Sequence, residues 1–257
     1  MTTSPRGLGF PDFADTVFEK CGAALERAHA DSHLANEMLA AAPPRMSRDQ
    51  IVVFMLVRMT ITGWVELLIL VGNGAGLGAM KIARGMFETA VMAEYLRRMP
   101  EEIEDYVEYG HVLSAKRLKL YSQVLTPERT ESIEREYARV KPRFQNSDGR
   151  MRGAWNKHPL RYMAEKIGGS QEYELSYSLA ASIHHGNFEA MIAQLSGDKG
   201  QLDVEEPPSM EWIEGALLIG HLYLRLALHT LNEFFKLGFD SRLEEAGAAC
   251  ERVYRKT

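Results

Sequence analysis

Arg84 and Glu88 stand four residues apart inside the stretch Gly76–Arg98, GLGAMKIARGMFETAVMAEYLRR. On a helix that spacing puts both on one face. Tyr95, eleven residues after Arg84, continues the face. Around them Ala79, Met80, Ile82, Ala83, Met86, Phe87, Ala90, Val91, Ala93 and Leu96 leave almost no polar side. A helix that is apolar all round belongs in a core, where each ion is costly to desolvate and needs a partner. Two roles fit the pair: an ion pair that fixes helix docking, or part of a polar site inside a bundle. Both residues are expected to be largely buried, with Arg58, Glu66, Tyr177 and His185 as partners. His185 supplies the group that ionises near neutrality, which makes it the natural proton carrier.

Other spacings carry chemistry of their own. Arg152-x5-His158 and Arg27-x5-His33 both fit the Arg-x(4–6)-His pattern of metal-independent ribonucleases resembling the HEPN class. There the arginine holds phosphate and the histidine moves a proton. Two matches in one chain show how little the pattern demands. Local charge adds to it: residues 135–161 hold eight cations against Glu136 and Asp148, a net of +6. Tyr137, Phe144 and Trp155 lie among those cations, with π faces on which bases stack. The bland reading of the same run is a solvated basic loop. Glu108-x-x-His111 has the spacing of a bundle metal site, but a di-iron bundle needs two such motifs and the sequence has one.

The elements that must position these groups are helical. Apolar residues recur from Phe13 to Met38 at roughly helical spacing, and Pro43-Pro44 ends the run. Ser47-Arg-Asp-Gln50 has capping-box spacing ahead of a very apolar helix to about Val71. Arg58, Thr62 and Glu66 form one polar stripe on it. Gly72–Gly76 is a turn, the Arg84 helix follows, and Pro100 opens a helix to about Gln123. Thr126-Pro127 starts a surface helix; 141–158 is a long loop; Pro159 opens a short helix that Gly168-Gly169 stops. Ser170 is expected to cap a helix from Gln171 to about Leu195, with Tyr173, Tyr177, Ala181 and His184 on its apolar stripe. After a loop at 196–208, Ser209 is expected to cap a long helix to Leu237. Ser241-Arg-Leu-Glu244 reads as a second capping box. No alternating strand-like segment and no internal repeat interrupts this pattern. The fold class is therefore all-α, a single bundle of seven to nine helices over 1–257, with 1–10 a loose N-terminus. The helices at 48–71, 77–98, 171–195 and 210–237 are expected to form its core.

Bulk properties narrow the partners. Hydrophobic content of 46% and charged content of 25% are ordinary for a soluble globular chain. A net charge of −5 argues against coating nucleic acid wholesale, although not against a local basic patch. Cys21 and Cys250 make neither a zinc spacing nor a disulfide framework. No signal-peptide run opens the chain, and the longest uncharged stretch within 51–80 falls short of the roughly 20 apolar residues of a spanning helix. These features point to a cytoplasmic protein without a membrane partner.

The segments ARGMFETAVMAEYL (83–96), YVEYGHVLSAKRLKL (106–120), WNKHPLRYMAEKIG (155–168) and YELSYSLAASIHHGN (173–187) resemble bacterial proteins grouped as domain of unknown function 5677. The resemblance runs over about residues 60–190. It places the family pattern on Arg84, Glu88, Tyr95, Tyr106, Tyr109, Trp155, Tyr177 and His185. Ala181 departs from it, standing where the family has serine. The family implies an all-helical fold and a site, but no reaction.

Together these observations nominate Arg84, Glu88 and His185 as catalytic residues, with Arg152, Trp155 and Tyr177 binding substrate. No P-loop or dinucleotide fingerprint is present, and neither a cofactor nor a metal is expected. The partner would be RNA or another phosphate-bearing ligand, and a homo-oligomer is compatible with the sequence. The reading is a helical protein with a buried Arg/Glu/His site, of the metal-independent ribonuclease or RNA-binding kind. A non-catalytic interaction protein is the alternative, and a helical-bundle metal enzyme a more distant one.

Overall fold

Ser47 begins the central part of the chain as its spacing predicts. Its Oγ accepts from Gln50 N–H at 3.3 Å, and Gln50 Oε1 accepts from Ser47 N–H at 2.9 Å. Two orphan donors are satisfied at once. The computed structural model describes residues 10–185, 195–196, 203–204 and 208–255. The helices are α1 (Pro11–Ala41), α2 (Arg48–Gly72), α3 (Gly76–Arg98), α4 (Ile103–Tyr121) and α5 (Pro127–Val140). After these come α6 (Leu160–Ile167), α7 (Ser178–His184), α8 (Ile213–Phe235) and α9 (Asp240–Tyr254). The fold is all-α. A two-residue antiparallel pairing of Leu195–Ser196 with Asp203–Val204 is the small exception.

The centre is a three-helix layer. α2 and α3 lie against each other along their lengths, and α8 packs across both. Trp64, Leu67, Met80, Phe87, Leu96, Ile213, Leu224 and Leu231 are fully buried between them. Gly220 makes the crossing of α8 and α2 close: a Cβ there would sit 2.8 Å from Trp64. Polar ties fix the register. Thr60 Oγ1 and Thr89 Oγ1 are 2.8 Å apart between α2 and α3, and Trp64 Nε1 donates to Ser32 Oγ of α1 at 3.0 Å. α1 and α9 close one side, α6 and α7 lean on α3, and α4 pairs with α5.

Three expected caps are absent. Ser170 is the first helical residue rather than a cap, and Gly169 precedes it without a side-chain bond. Ser209 Oγ accepts from Glu211 N–H at 3.3 Å, which caps a turn; α8 starts later, after Trp212 in a left-handed conformation. No capping box forms at Ser241, which lies inside the helix: α9 begins at Asp240 after Phe239, and Asn232 Oδ1 of α8 takes the Phe239 N–H at 2.9 Å. The expected helix 171–195 is also interrupted: Tyr173–Tyr177 is a π-helical turn before α7. Downstream of that turn Ala180 and Ile183 are buried while Ala181 is half-buried. A single 100° step does not carry across a π turn. The stretch 186–194 and the expected loop at 196–208, apart from Ser196, 203–204 and Pro208, lie outside the described residues, as do residues 1–9.

α2 has the length and composition to cross a membrane, although one of its faces packs into the core. Its other face is open. Ile51, Met55, Met59, Val65 and Ile69 are 45–60% exposed.

Candidate functional site

α3 presents Arg84 and Glu88 one turn apart, and their Nη2–Oε1 distance is 2.8 Å. The π turn brings Tyr177 onto both. Arg84 Nη2 donates to Tyr177 Oη at 3.1 Å, and Tyr177 Oη donates to Glu88 Oε1 at 3.1 Å. Guanidinium, phenol and carboxylate thus close a three-membered ring of bonds. The guanidinium also stands over the phenol face, 5.3 Å from its centroid. Beneath it, Phe87 meets Tyr177 at 4.9 Å, and Tyr173 stacks on Tyr177 at 5.0 Å. Burial first, and the Glu88 charge next, push the Tyr177 phenol above its usual pKa, so it is held as a donor.

The pair is less buried than its apolar surroundings suggest. Arg84 is 21% and Glu88 33% exposed. The stripe around them opens at Gly85, where nothing approaches. A groove of 440 Å³ between α2 and α3, lined by Met59, Thr62, Glu66, Lys81 and Gly85, ends on Glu88. Arg58 and Glu66 do not reach Arg84 or Glu88 as partners; both are exposed on α2.

His185 is not buried. It caps the C-terminus of α7, exposed, its N–H on Ala181 O at 2.9 Å. Eight residues separate it from Tyr177, about 12 Å along a helix axis. The expected burial is therefore corrected: Arg84, Glu88 and Tyr177 form a half-buried ring, and His185 is exposed at the end of α7. The side chain of His184 lies outside the described residues.

Arg152 and Trp155 belong to the far end of α3. Eleven residues part Arg84 from Tyr95, about 16 Å of helix, and Trp155 packs on Tyr95 and Tyr106 at 6.3 and 5.4 Å. Tyr95 Oη donates to Glu102 Oε1 at 2.7 Å, and Asn156 Nδ2 donates to Glu102 Oε2 at 2.8 Å. Burial, and then that bond to Glu102, push Tyr95 up to about 12. Arg152 pins the loop: it donates to the Arg143 and Trp155 carbonyls and lies over Phe144 at 5.1 Å. Among the described residues four of the basic segment's eight cations pair with carboxylates, Arg150 with Asp148 among them. Arg139 meets Glu108 at 2.7 Å, Arg143 meets Glu104 and Asp105, and Arg161 meets Glu165 and Glu174. Glu108 thereby spends the carboxylate of the Glu108-x-x-His111 motif. Among the described residues no three His, Cys, Asp or Glu side chains are arranged to hold a metal.

Two buried polar centres lie outside the residues that sequence spacing nominates. Glu94 accepts from Arg97 at 2.7 Å, Arg98 at 2.6 Å and Thr230 Oγ1 at 3.0 Å. These bonds hold its carboxyl below the usual range against the opposing pull of burial, the largest influence. Its signal in the sequence is a glutamate followed by arginines three and four residues on. The second centre joins α1, α8 and α9. Asp31 accepts from Arg27 at 2.6 Å, and His221 Nδ1 lies 2.7 Å from Leu217 O and 3.0 Å from Tyr254 Oη. Above it, Arg27, Arg242, Glu245 and Arg252 line a 520 Å³ pocket.

Fold and site define an all-helical protein carrying a guanidinium–phenol–carboxylate ring between α3 and the π turn. The chain belongs to the family of unknown function DUF5677, whose model matches residues 50–202. That span runs from α2 through α7, so it contains Arg84, Glu88, Tyr177 and His185 and leaves out Asp31 and His221. No curated protein and no solved structure matches the chain.

Proposed function

We propose that this chain is a helical interaction protein, in which the Arg84–Glu88–Tyr177 ring latches the 170–184 segment onto α3. The observation that carries this reading is the closure of the ring. Each charge meets its opposite, and the phenol joins them. Glu88 offsets the charge that Arg84 would offer a phosphate, although the buried Arg84 Nε has no hydrogen-bond partner among the described residues. The basic segment points the same way, since Arg139, Arg143 and Arg161 are paired and Arg152 holds backbone. Buried, free Cys21 and Cys250 support a cytoplasmic setting. A core continuous from Val17 to Ala246 supports one domain.

The second reading is a metal-independent, HEPN-like ribonuclease or RNA-binding protein. Solvent reach favours it: Arg84 and Glu88 are partly exposed and His185 is exposed in the same region. In it Arg84 or Arg152 grips phosphate, Trp155 or Tyr177 contacts the substrate, and His185 carries the proton. The two are separated by incubating purified protein with RNA in EDTA. The interaction reading expects no cleavage from wild type. Cleavage abolished by His185→Ala, with an unchanged melting temperature, overturns it.

A further inference from the structure

The open face of α2 identifies its partner through its charge order. Ile51, Met55, Met59, Val65 and Ile69 stand 49, 45, 55, 49 and 60% exposed along it. Together they show on the order of 500 Å² of apolar side chain, most of the roughly 800 Å² per partner that a stable interface buries. Soluble monomers rarely leave so long an apolar stripe open. Between the apolar positions sit Arg58, Thr62 and Glu66, also exposed. Arg58 and Glu66 form no ion pair or hydrogen bond among the described residues. They flank Thr62 at equal distance, one charge of each sign.

We propose that the protein is a two-fold homodimer in which α2 packs antiparallel against α2 of a second copy, centred on Thr62, deepening the interaction-protein reading. With the axis at Thr62, each position faces the one equally far on its other side. Arg58 then lies level with Glu66 of the second copy, and the symmetry makes that bridge twice. Met55 faces Ile69 and Met59 faces Val65, a flexible side chain against a β-branched one in each layer. Small Thr62 at the centre lets the two helices approach closely. Parallel pairing in register would set Arg58 on Arg58 and Glu66 on Glu66, so the charges select the antiparallel arrangement. The seam also runs beside the α2–α3 groove that ends on Glu88. The second copy would therefore border the Arg84–Glu88–Tyr177 ring.

The test is sedimentation equilibrium of wild type, Arg58→Glu, Glu66→Arg and the double swap, each checked for native helicity by circular dichroism. Wild type is expected to be dimeric. Each single swap sets like charges together at both bridges and is expected to weaken the dimer by about tenfold or more. The double swap restores the pairing and is expected to return most of the loss. A monomeric wild type overturns the proposal, as do single swaps that dimerise like wild type. A monomer that co-sediments with phosphatidylcholine vesicles also overturns it, in favour of a lipid surface. RNA cleavage by a dimeric protein would instead sink the interaction reading and leave the dimer standing.

Discussion

His221 Nε2 faces Asp31 Oδ2 at 3.6 Å, with both side chains shut off from solvent. Neither atom has a hydrogen-bond partner among the described residues. The 2.7 Å approach of His221 Nδ1 to Leu217 O requires a proton on Nδ1. Nε2 therefore turns a lone pair toward the acid. Burial lowers His221 to about 4 and raises Asp31. The two shifts act on stability with opposite signs. For His221 the unfolded chain binds the extra proton below about 6.5, so stability is lost as pH falls from there toward about 4. For Asp31 the folded chain binds the extra proton, so stability is gained as pH falls through its raised pKa. His221→Gln is expected to flatten the acid-side fall between pH 6.5 and 4, and Asp31→Asn to steepen it. Urea denaturation across that range, compared with wild type, checks both. Slopes that match wild type in both variants would refute the coupling.

Glu94 is expected to matter more than Glu88, although both pair with arginine on α3. Glu94 is buried and also receives Thr230 from α8. Glu94→Ala removes the bond to Thr230, whose hydroxyl keeps the Leu226 carbonyl at 2.9 Å, and it leaves two guanidinium groups that still reach water. The expected cost is about 2–3 kcal/mol, below the roughly 3–5 kcal/mol of a wholly buried pair. Its lowered pKa makes its contribution present above about 4.5 and lost as pH falls through the folded value. Denaturation midpoints at pH 7 and pH 3 measure this; a cost equal at both would count against it.

At the candidate site the effects are expected to be smaller. Tyr177→Phe keeps the ring stack on Phe87 and Tyr173 but removes the bridging hydroxyl, at a cost of about 1–2 kcal/mol. Glu88→Gln keeps an acceptor for the phenol on a third-exposed side chain, and about 1 kcal/mol is expected. A double-mutant cycle between the two should show coupling, because one hydroxyl serves both charges. Strict additivity would mean that the ring is not a unit.

Periodicity carries most of the fold and little of the site. The α2 and α3 boundaries, the Ser47 box and the Gly168 stop follow from residues within one turn of each other, so they are legible. Ser170, Ser209 and Ser241 have the same local look and fail. At Ser241 the helix has already begun at Asp240, its start tied to Asn232 of α8 through the Phe239 N–H, and no local pattern announces that. Arg84 and Glu88 are legible as a pair and Tyr177 as a partner, while the π turn that delivers Tyr177 has no signature in its regular tyrosine spacing. Spacing overstates their burial because Gly85 beside them leaves the surface open. Nor does spacing announce that Arg152 donates to the Arg143 and Trp155 carbonyls, which lie on its own loop.

Two glycines on neighbouring helices are expected to respond to alanine in opposite directions. At Gly220 the added Cβ would meet Trp64 at 2.8 Å and Leu67 at 2.9 Å, both at the centre of the α2–α8 crossing. Trp64 is fully buried and tied by its indole N–H to Ser32, so it has little room to yield. Overpacking of this kind costs about 1–3 kcal/mol, and the gain in helix propensity recovers less than that. At Gly85, exposed on α3, a Cβ meets nothing within 4 Å. There the propensity gain stands alone, about 0.5–1 kcal/mol of added stability. Thermal melts of Gly220→Ala and Gly85→Ala are thus expected to move down and up respectively. A Gly85→Ala protein that melts lower would mean that something seats closely on that face of α3, and sedimentation of the same variant would show whether it is the second copy.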